Sequence, residues 1–460
     1  MGNRLPARHI VLMLLALTWI IAAASSVRIR DLTWLQYLRI DLVWLQVLLL
    51  GVGVYGTLLV VTGTFTRPSK RGAGASADDH FVSIIVPAKN EAAVIEPTIR
   101  SLYALDFADG AGQARYEVIV VDDGSTDGTG MILAQLATEL PLRIVRTADG
   151  SIGKAAALTL ATAHARGDLI AVFDADARVA PDYLRLMVSH LTDDRVGGVQ
   201  GRRAIYNGTQ NQLTRKQEEE YRLFLHASQQ ARALMGGMVT LVGNGLLLRR
   251  AALEAVGGWN EEALTEDIDL SFRLHLGGWT IAYCPDALIW EEAVPTLREY
   301  VRQRARWVEG GMFCLGEHLP AILFGRFGLF KRADMVLFLT GSLIFALSAI
   351  TTNLFSVPRL LGSLVLYFQL PWWLTKLVWI GGTAVLVISA LQATRWRFAQ
   401  AVMLLLRFAV FSLLTPVCAV IAAGRYVRRA VTGRLVWDKT AHGLSAAARS
   451  WVTTPSEEDA

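Results

Sequence analysis

Charge is scarce in this chain. Asp, Glu, Lys and Arg make up 18% of 460 residues, where ordinary globular proteins carry roughly 25%. With 53% hydrophobic residues, that shortage excludes an intrinsically disordered chain. Cysteine is scarcer still. The three present, Cys284, Cys314 and Cys418, are too few to staple a fold and suit a reducing compartment. No repeat of about 20–50 residues is visible, which excludes a solenoid. No basic segment interleaved with aromatics accompanies the net charge of +5, so nucleic acid is not an expected partner. The cationic surplus suits an anionic membrane surface instead.

The apolar residues are segregated. Ile10–Val27 and Leu42–Val61 carry no charge, and each is long enough to cross a hydrocarbon core of about 30 Å at 1.5 Å per residue. A cleaved leader is the alternative for the first run, but a second apolar run follows closely. Met335–Ser356 and Trp373–Leu391 are two further expected spans, with Lys376 near one end where it can snorkel. Ala401–Ala423 is long enough but holds Arg407 and Pro416. An unpaired arginine is costly in lipid, and the proline can break the segment into a re-entrant pair.

Cations flanking the spans set the orientation. Arg4, Arg8, Arg67, Lys70 and Arg71 bracket the first two runs, and Lys331, Arg332, Arg395 and Arg397 the next two. Each pair therefore reads as a hairpin with cytosolic ends. Arg425, Arg428, Arg429, Arg434 and Lys439 place the tail in the cytosol as well. The expected organisation is a two-span hairpin over 1–77, a cytosolic domain over 78–316, an interfacial helix over 317–334, a membrane region over 335–424 and a basic tail over 425–460.

Between 78 and 316 the pattern changes. Phe81–Pro87 is apolar on both faces, as buried parallel strands are. A helix-compatible stretch, Asn90–Leu105, follows. Tyr116–Val121 ends in Asp122-Asp123-Gly124-Ser125, and Asp168–Phe173 ends in Asp174-Ala175-Asp176. This alternation predicts a doubly wound α/β sheet, whose ligands bind beyond the carboxyl ends of its strands. The acids lie at those ends. Asp122 alone is explained as well by capping the next helix, and Asp127 reads as a turn residue. Asp174 and Asp176 are harder to explain that way. Residues i and i+2 of an extended chain face one side, and two such carboxylates suit a divalent cation beside a diphosphate.

Thr265-Glu266-Asp267-Ile268-Asp269 predicts a helix capped by Thr265, with acids in its first turn. A carboxylate there can also act as general base toward a hydroxyl. On a further helix Gln303, Arg306 and Trp307 share one face, where an arginine can grip a diphosphate and a tryptophan stack on a sugar. Arg302 and Arg304 point elsewhere and suit a basic face on the membrane. Glu218–Gly237 and Leu319–Phe330 both read as interfacial helices, or as docking elements.

Seven segments appear in order: V-P-A-K-N-E (86–91), V-D-D-G-S-T-D (121–127), G-K-A-A-A-L (153–158), D-A-D-A (174–177), G-G-W-N (257–260), T-E-D-I-D-L (265–270) and Q-R-A-R-W (303–307). Together they resemble the membrane-bound, inverting family-2 glycosyltransferases, with a GT-A-like catalytic domain set between transmembrane helices. The resemblance implies that Pro87, Asn90 and Glu91 lie beside the nucleotide, that Asp122 and Asp123 hold uracil and ribose, and that Lys154 lies near the nucleotide. It makes Asp174 and Asp176 the pair for diphosphate and metal, Mg2+ or Mn2+. Asp267 becomes the general base, and Gln303, Arg306 and Trp307 the set at acceptor sugar and diphosphate.

The implied partners are a UDP-sugar donor, a membrane lipid acceptor and the bilayer. Q-x-x-R-W belongs to processive members such as cellulose, hyaluronan and poly-N-acetylglucosamine synthases. It also occurs in the cyanobacterial beta-monoglucosyldiacylglycerol synthase type. R-A-I-Y-N (203–207), V-G-N-G (242–245), R-L-H-L (273–276), W-E-E (290–292) and R-W-V-E-G-G (306–311) are closer in wording to the latter. Gly243-Asn244-Gly245 replaces the Ser-Gly or Cys-Gly on which a polymer end rests. Transfer of one hexose, glucose, to 1,2-diacylglycerol is thus the first expectation, and a processive polysaccharide synthase the alternative. A non-catalytic scaffold is opposed by the presence of Asp123, Asp174, Asp176, Asp267 and Arg306.

Overall fold

The computed structural model describes residues 54–66, 79–147, 150–191, 193–341, 387–388, 390–391 and 397–432. They fall into two compact units, a sheet unit within 65–300 and a helical unit formed by the segments up to 64 and from 301 onward. The expected span Ile10–Val27 lies outside the described residues, as do most of Leu42–Val61, Met335–Ser356 and Trp373–Leu391.

Eight strands build one sheet: β1 Val82–Ala88, β2 Tyr116–Asp122, β3 Arg143–Arg146, β4 Leu169–Val172, β5 Arg178–Val179, β6 Val196–Ile205, β7 Leu246–Arg249 and β8 Thr280–Glu291. Their order is β3-β2-β1-β4-β7-β6-β8-β5. The half from β3 to β4 is parallel, as expected for a doubly wound sheet. The other half corrects that expectation. β7 runs antiparallel to both β4 and β6, and β5 antiparallel to β8, while β6 and β8 run parallel. The architecture is a GT-A-like α/β fold with a mixed sheet.

Alternation explains the two-sided core. Ile84, Val86, Val118 and Val120 face helices α1 (Ile95–Tyr103), α2 (Thr129–Glu139) and α4 (Tyr183–Val188). Ile85, Ile119 and Val121 face α3 (Lys154–His164), α7 (Arg250–Ala255) and α8 (Glu266–Leu276). Full burial of each such side chain contributes about 1.5–3 kcal/mol. Pro87 sits in a central strand without penalty, because β1 pairs β4 only as far as Ile85↔Val172.

The expected helix over Glu218–Gly237 is part of a longer one. α5 (Gln212–Glu220) passes through a π-helical turn at Tyr221–Leu225 into α6 (His226–Met235). Gln229 Nε2 donates to the Thr240 carbonyl at 2.5 Å, and Tyr221 Oη to Glu291 at 3.0 Å. These bonds dock the helix on the sheet unit, the second of its two expected roles.

In the helical unit, α9 (Leu297–Phe324) runs unbroken through the expected 316/317 boundary, and the division between units falls after Tyr300. Beyond it, Leu323, Phe324 and Leu329 are exposed. α10 (Phe398–Ser412) and α11 (Leu414–Thr432) meet at Leu413, whose φ −63° and ψ −18° remain right-handed helical. The break expected at Pro416 is therefore a local irregularity in one rod, since a single helical joint does not reverse the chain. Phe398–Arg429 is the one helix, among the described residues, long and apolar enough to cross a membrane. Only 18% of its apolar window is buried, unlike a soluble core helix. Arg429 Nε pairs with the fully buried Glu309 of α9 at 2.9 Å.

Candidate active site

The acids cluster at the carboxyl ends of the parallel strands. Beyond β1, Asn90 adopts φ 53°, a left-handed conformation that asparagine tolerates better than most residues. Its Oδ1 accepts the Thr126 N–H at 2.7 Å, and its own N–H donates to Ser125 Oγ at 3.0 Å. Glu91 N–H donates to Thr129 Oγ1 at 2.7 Å. Asp127 accepts from Ala92 and Thr129 as the expected turn residue. The first two strand-end loops are thus knitted together.

Beyond β2, Asp122 accepts the Ser125 N–H at 3.1 Å and lies 3.7 Å from Arg146. Asp123 accepts from Ser151 Oγ at 2.7 Å and from the N–H groups of Ile152 and Gly153 at 2.7 and 3.1 Å. Three donors on one carboxylate fix the turn that delivers Lys154 to the first position of α3. Asp123 therefore has an anchoring task that the sequence did not reveal.

Lys154 is the hub. Its ammonium donates to Asp174 Oδ1 at 2.8 Å and to the Gly243 carbonyl at 3.3 Å, and lies 3.1 Å from Glu266. Burial works to lower its pKa, but Asp174 and Glu266 outweigh that and hold the charge firmly. Asp174 is raised by burial, opposed by Lys154 and reinforced by Asp176. Asp267 is raised to about 6 by burial and by Glu266 beside it. Its Oδ1 accepts the Ile268 N–H at 2.8 Å in the first turn of α8. Thr265 stands at the N-cap position as expected, but its side chain makes no capping bond. Asp269 holds Arg273 at 2.7 Å, and Arg273 in turn holds the Val256 and Gly258 carbonyls, a structural role.

Gly243 lies directly against this cluster. It has φ +77°, and a Cβ there would stand 2.9 Å from Asp267 Oδ2 and 3.5 Å from Lys154 Nζ. Gly243→Ala is expected to cost about 1–2 kcal/mol for the left-handed backbone alone. It should also lower turnover further by displacing Asp267. Turnover measured beside the thermal midpoint checks this, and a fall in stability with unchanged turnover counts against the contact.

Asn244, absent from the residues singled out for chemistry, is fully buried. Its Oδ1 accepts the Asp174 N–H at 3.0 Å and its Nδ2 donates to Glu291 Oε2 at 3.0 Å. Glu291 also takes the Arg203 guanidinium, at 2.8 Å from Nε and through Nη2 as well. Asp176, 2% exposed, accepts the Glu292 N–H at 2.8 Å. Motifs 203–207, 242–245 and 290–292 therefore converge behind the acidic pair. Only their wording signalled this in the sequence.

The sheet unit thus gathers Pro87, Asn90, Glu91, Asp122, Asp123, Lys154, Asp174, Asp176 and Asp267 along one edge. Gln303, Arg306 and Trp307 belong to α9 in the helical unit, each half-buried. There the Arg304 guanidinium lies over the Trp307 ring at 4.3 Å. Arg304 therefore does not point away from that face as expected.

The donor set at Asp174 and Asp176 fits a hard divalent cation. Both side chains are carboxylates, which suit hard cations. Burial is the main cause that raises Asp174, and the repulsion from Asp176 that adds to it is what a cation between the two would relieve.

A GT-A-like fold with strand-end acids is the architecture of nucleotide-sugar transferases, and a mannosyltransferase from Pyrobaculum calidifontis solved with GDP-Man and Mn2+ shares it. That structure matches with TM-score 0.60 and 21% identity over 83% of this chain and 96% of its own. The chain belongs to the glycosyltransferase family described as "Glycosyltransferase like family 2", which matches residues 79–310. It is 39% identical over 334 residues to the beta-monoglucosyldiacylglycerol synthase of Trichormus variabilis, covering 72% of this chain and 70% of the relative. The poly-beta-1,6-N-acetyl-D-glucosamine synthase of Staphylococcus aureus is 30% identical over 231 residues, 50% of this chain and 54% of the relative.

Proposed function

We propose that this glycosyltransferase moves one glucose from a UDP-sugar to the free hydroxyl of 1,2-diacylglycerol, with inversion, giving a beta-glycolipid at the membrane. The observation that carries this reading is the similarity to beta-monoglucosyldiacylglycerol synthases at 39% identity over 72% of the chain, against 30% over 50% for a polymer synthase. Asn244 adds support. Its amide is committed to Asp174 and Glu291, so it offers no side chain on which a growing polymer would rest.

In this reading Asp267 accepts the proton of the acceptor hydroxyl. The new C1–O bond forms as the bond from C1 to the UDP oxygen breaks, in one displacement. Asp122, Asp123, Asn90, Glu91 and Pro87 line the nucleoside side. Lys154 contributes positive charge near the diphosphate, and Asp174 and Asp176 would hold Mg2+ or Mn2+. The cation, when bound, stabilises negative charge on the leaving diphosphate. Gln303, Arg306 and Trp307 serve acceptor and diphosphate.

The exposed apolar residues Leu323, Phe324 and Leu329, with Arg326 and Lys331 between and beyond them, suit an interfacial segment. We assign the protein to the membrane, with the sheet unit cytosolic. Purified protein given radiolabelled UDP-glucose and diacylglycerol should yield a lipid bearing one hexose on thin-layer separation. A product of many sugars made without added lipid would establish the processive alternative.

A further inference from the structure

The polar chain behind the acidic pair runs from strand β6 to the edge of the site. Arg203 of β6 forks onto Glu291 of β8, and Tyr221 donates to the same carboxylate at 3.0 Å. Asn244 Nδ2 supplies a further bond at 3.0 Å. With its carboxylate so engaged, Glu291 is fixed. The amide of Asn244 has one workable orientation, because flipping it would set oxygen against carboxylate and NH2 against the Asp174 N–H. Gly243 and Gly245, at φ +77° and +65°, let the chain turn so that the side chain between them points inward.

A buried ion pair of this kind is a weak source of stability compared with apolar packing. Its outlet toward the site is specific: the N–H of Asp174, 3.0 Å from Asn244 Oδ1. The next residue along, Glu292, holds Asp176 through its own N–H at 2.8 Å. One strip, 291–292, thereby fixes the backbone at Asp174, through Asn244, and the carboxylate of Asp176 directly.

We infer that Asn244, anchored by Glu291 and Arg203, is a positioning residue that fixes Asp174 relative to Asp176 for binding a divalent cation with the donor diphosphate. This rests on the reading of Asp174 and Asp176 as the metal-holding pair. Asn244→Asp tests it with little change in shape. The new carboxylate still accepts from Asp174 but opposes Glu291. Adding Glu291→Gln restores a donor across the same gap.

UDP binding by the full-length protein is followed by calorimetry across a Mn2+ series, beside thermal unfolding. Asn244→Asp should raise the Mn2+ needed for half-maximal UDP binding by about tenfold or more, as loss of outer-shell support does. The double substitution should recover most of that loss. Unchanged Mn2+ dependence in Asn244→Asp, or a shift the double substitution does not recover, overturns the inference. Should Asn244→Asp not fold, Glu291→Gln alone weakens the same anchor. It should raise the Mn2+ requirement severalfold, and an unchanged requirement overturns the inference. Metal-independent UDP binding by the unaltered protein overturns the metal reading itself, and this inference with it.

Discussion

Asp267→Asn is expected to lower turnover by about 10²–10⁴-fold while leaving UDP affinity unchanged. The substitution keeps the shape of the side chain and its acceptance of the Ile268 N–H at 2.8 Å, so α8 should start as before. It removes the capacity to take a proton. The pH dependence sharpens the test. Burial and the neighbouring Glu266 raise the Asp267 pKa to about 6, so the carboxyl is protonated, and useless as a base, at pH values where an ordinary aspartate is charged. Turnover should therefore fall as pH drops through about 6, by roughly tenfold per unit below it. That limb should vanish in Asp267→Asn. A collapse of UDP affinity in the variant would make Asp267 a donor ligand instead.

Asp176→Asn should abolish metal-dependent UDP binding and reduce turnover by more than about 100-fold, since losing a ligand exceeds the 10–100-fold typical of an outer-shell partner. Asp176 is almost wholly buried, and its Oδ2 accepts the Glu292 N–H. The asparagine oxygen can keep that bond, so a folded variant is expected. Calorimetry with UDP and Mn2+, with and without EDTA, reads the effect apart from catalysis. Full activity of the variant, or of the unaltered protein in EDTA, would remove the metal from the reaction.

Strands β1, β2 and β4 were legible because each is a short apolar run buried on both faces, and β2 and β4 run directly into acids. β3, Arg143–Arg146, was not: only Ile144 and Val145 lie between its two arginines. β6 is glycine-rich and ends in Arg202-Arg203-Ala204-Ile205, and β8 carries Pro285 within its run. Neither has the uninterrupted apolar pattern that marks a strand. The antiparallel half of the sheet was therefore hidden, and the parallel half suggested a simpler topology than the true one.

The site shows the same division. Asp174, Asp176 and Asp267 stand in recognisable short motifs, whereas the bonds of Asn244 to Asp174 and Glu291 join residues 70 and 47 positions away. No local pattern carries a pairing across that distance. Asp123 shows that a residue can be found for one reason and hold another task as well.

Helix α9 carries a geometric constraint of its own. Its 28 residues make a rod about 42 Å long at 1.5 Å per residue. Arg306 lies about a third of the way along, and Phe324, 86% exposed, closes the far end. Along such a rod the separation between the two is set by residue count, about 27 Å. Wherever Phe324 meets lipid, the helix acts as a fixed gauge for Arg306. Adding or removing one residue between them would shift it by about 1.5 Å and swing it about 100° around the axis.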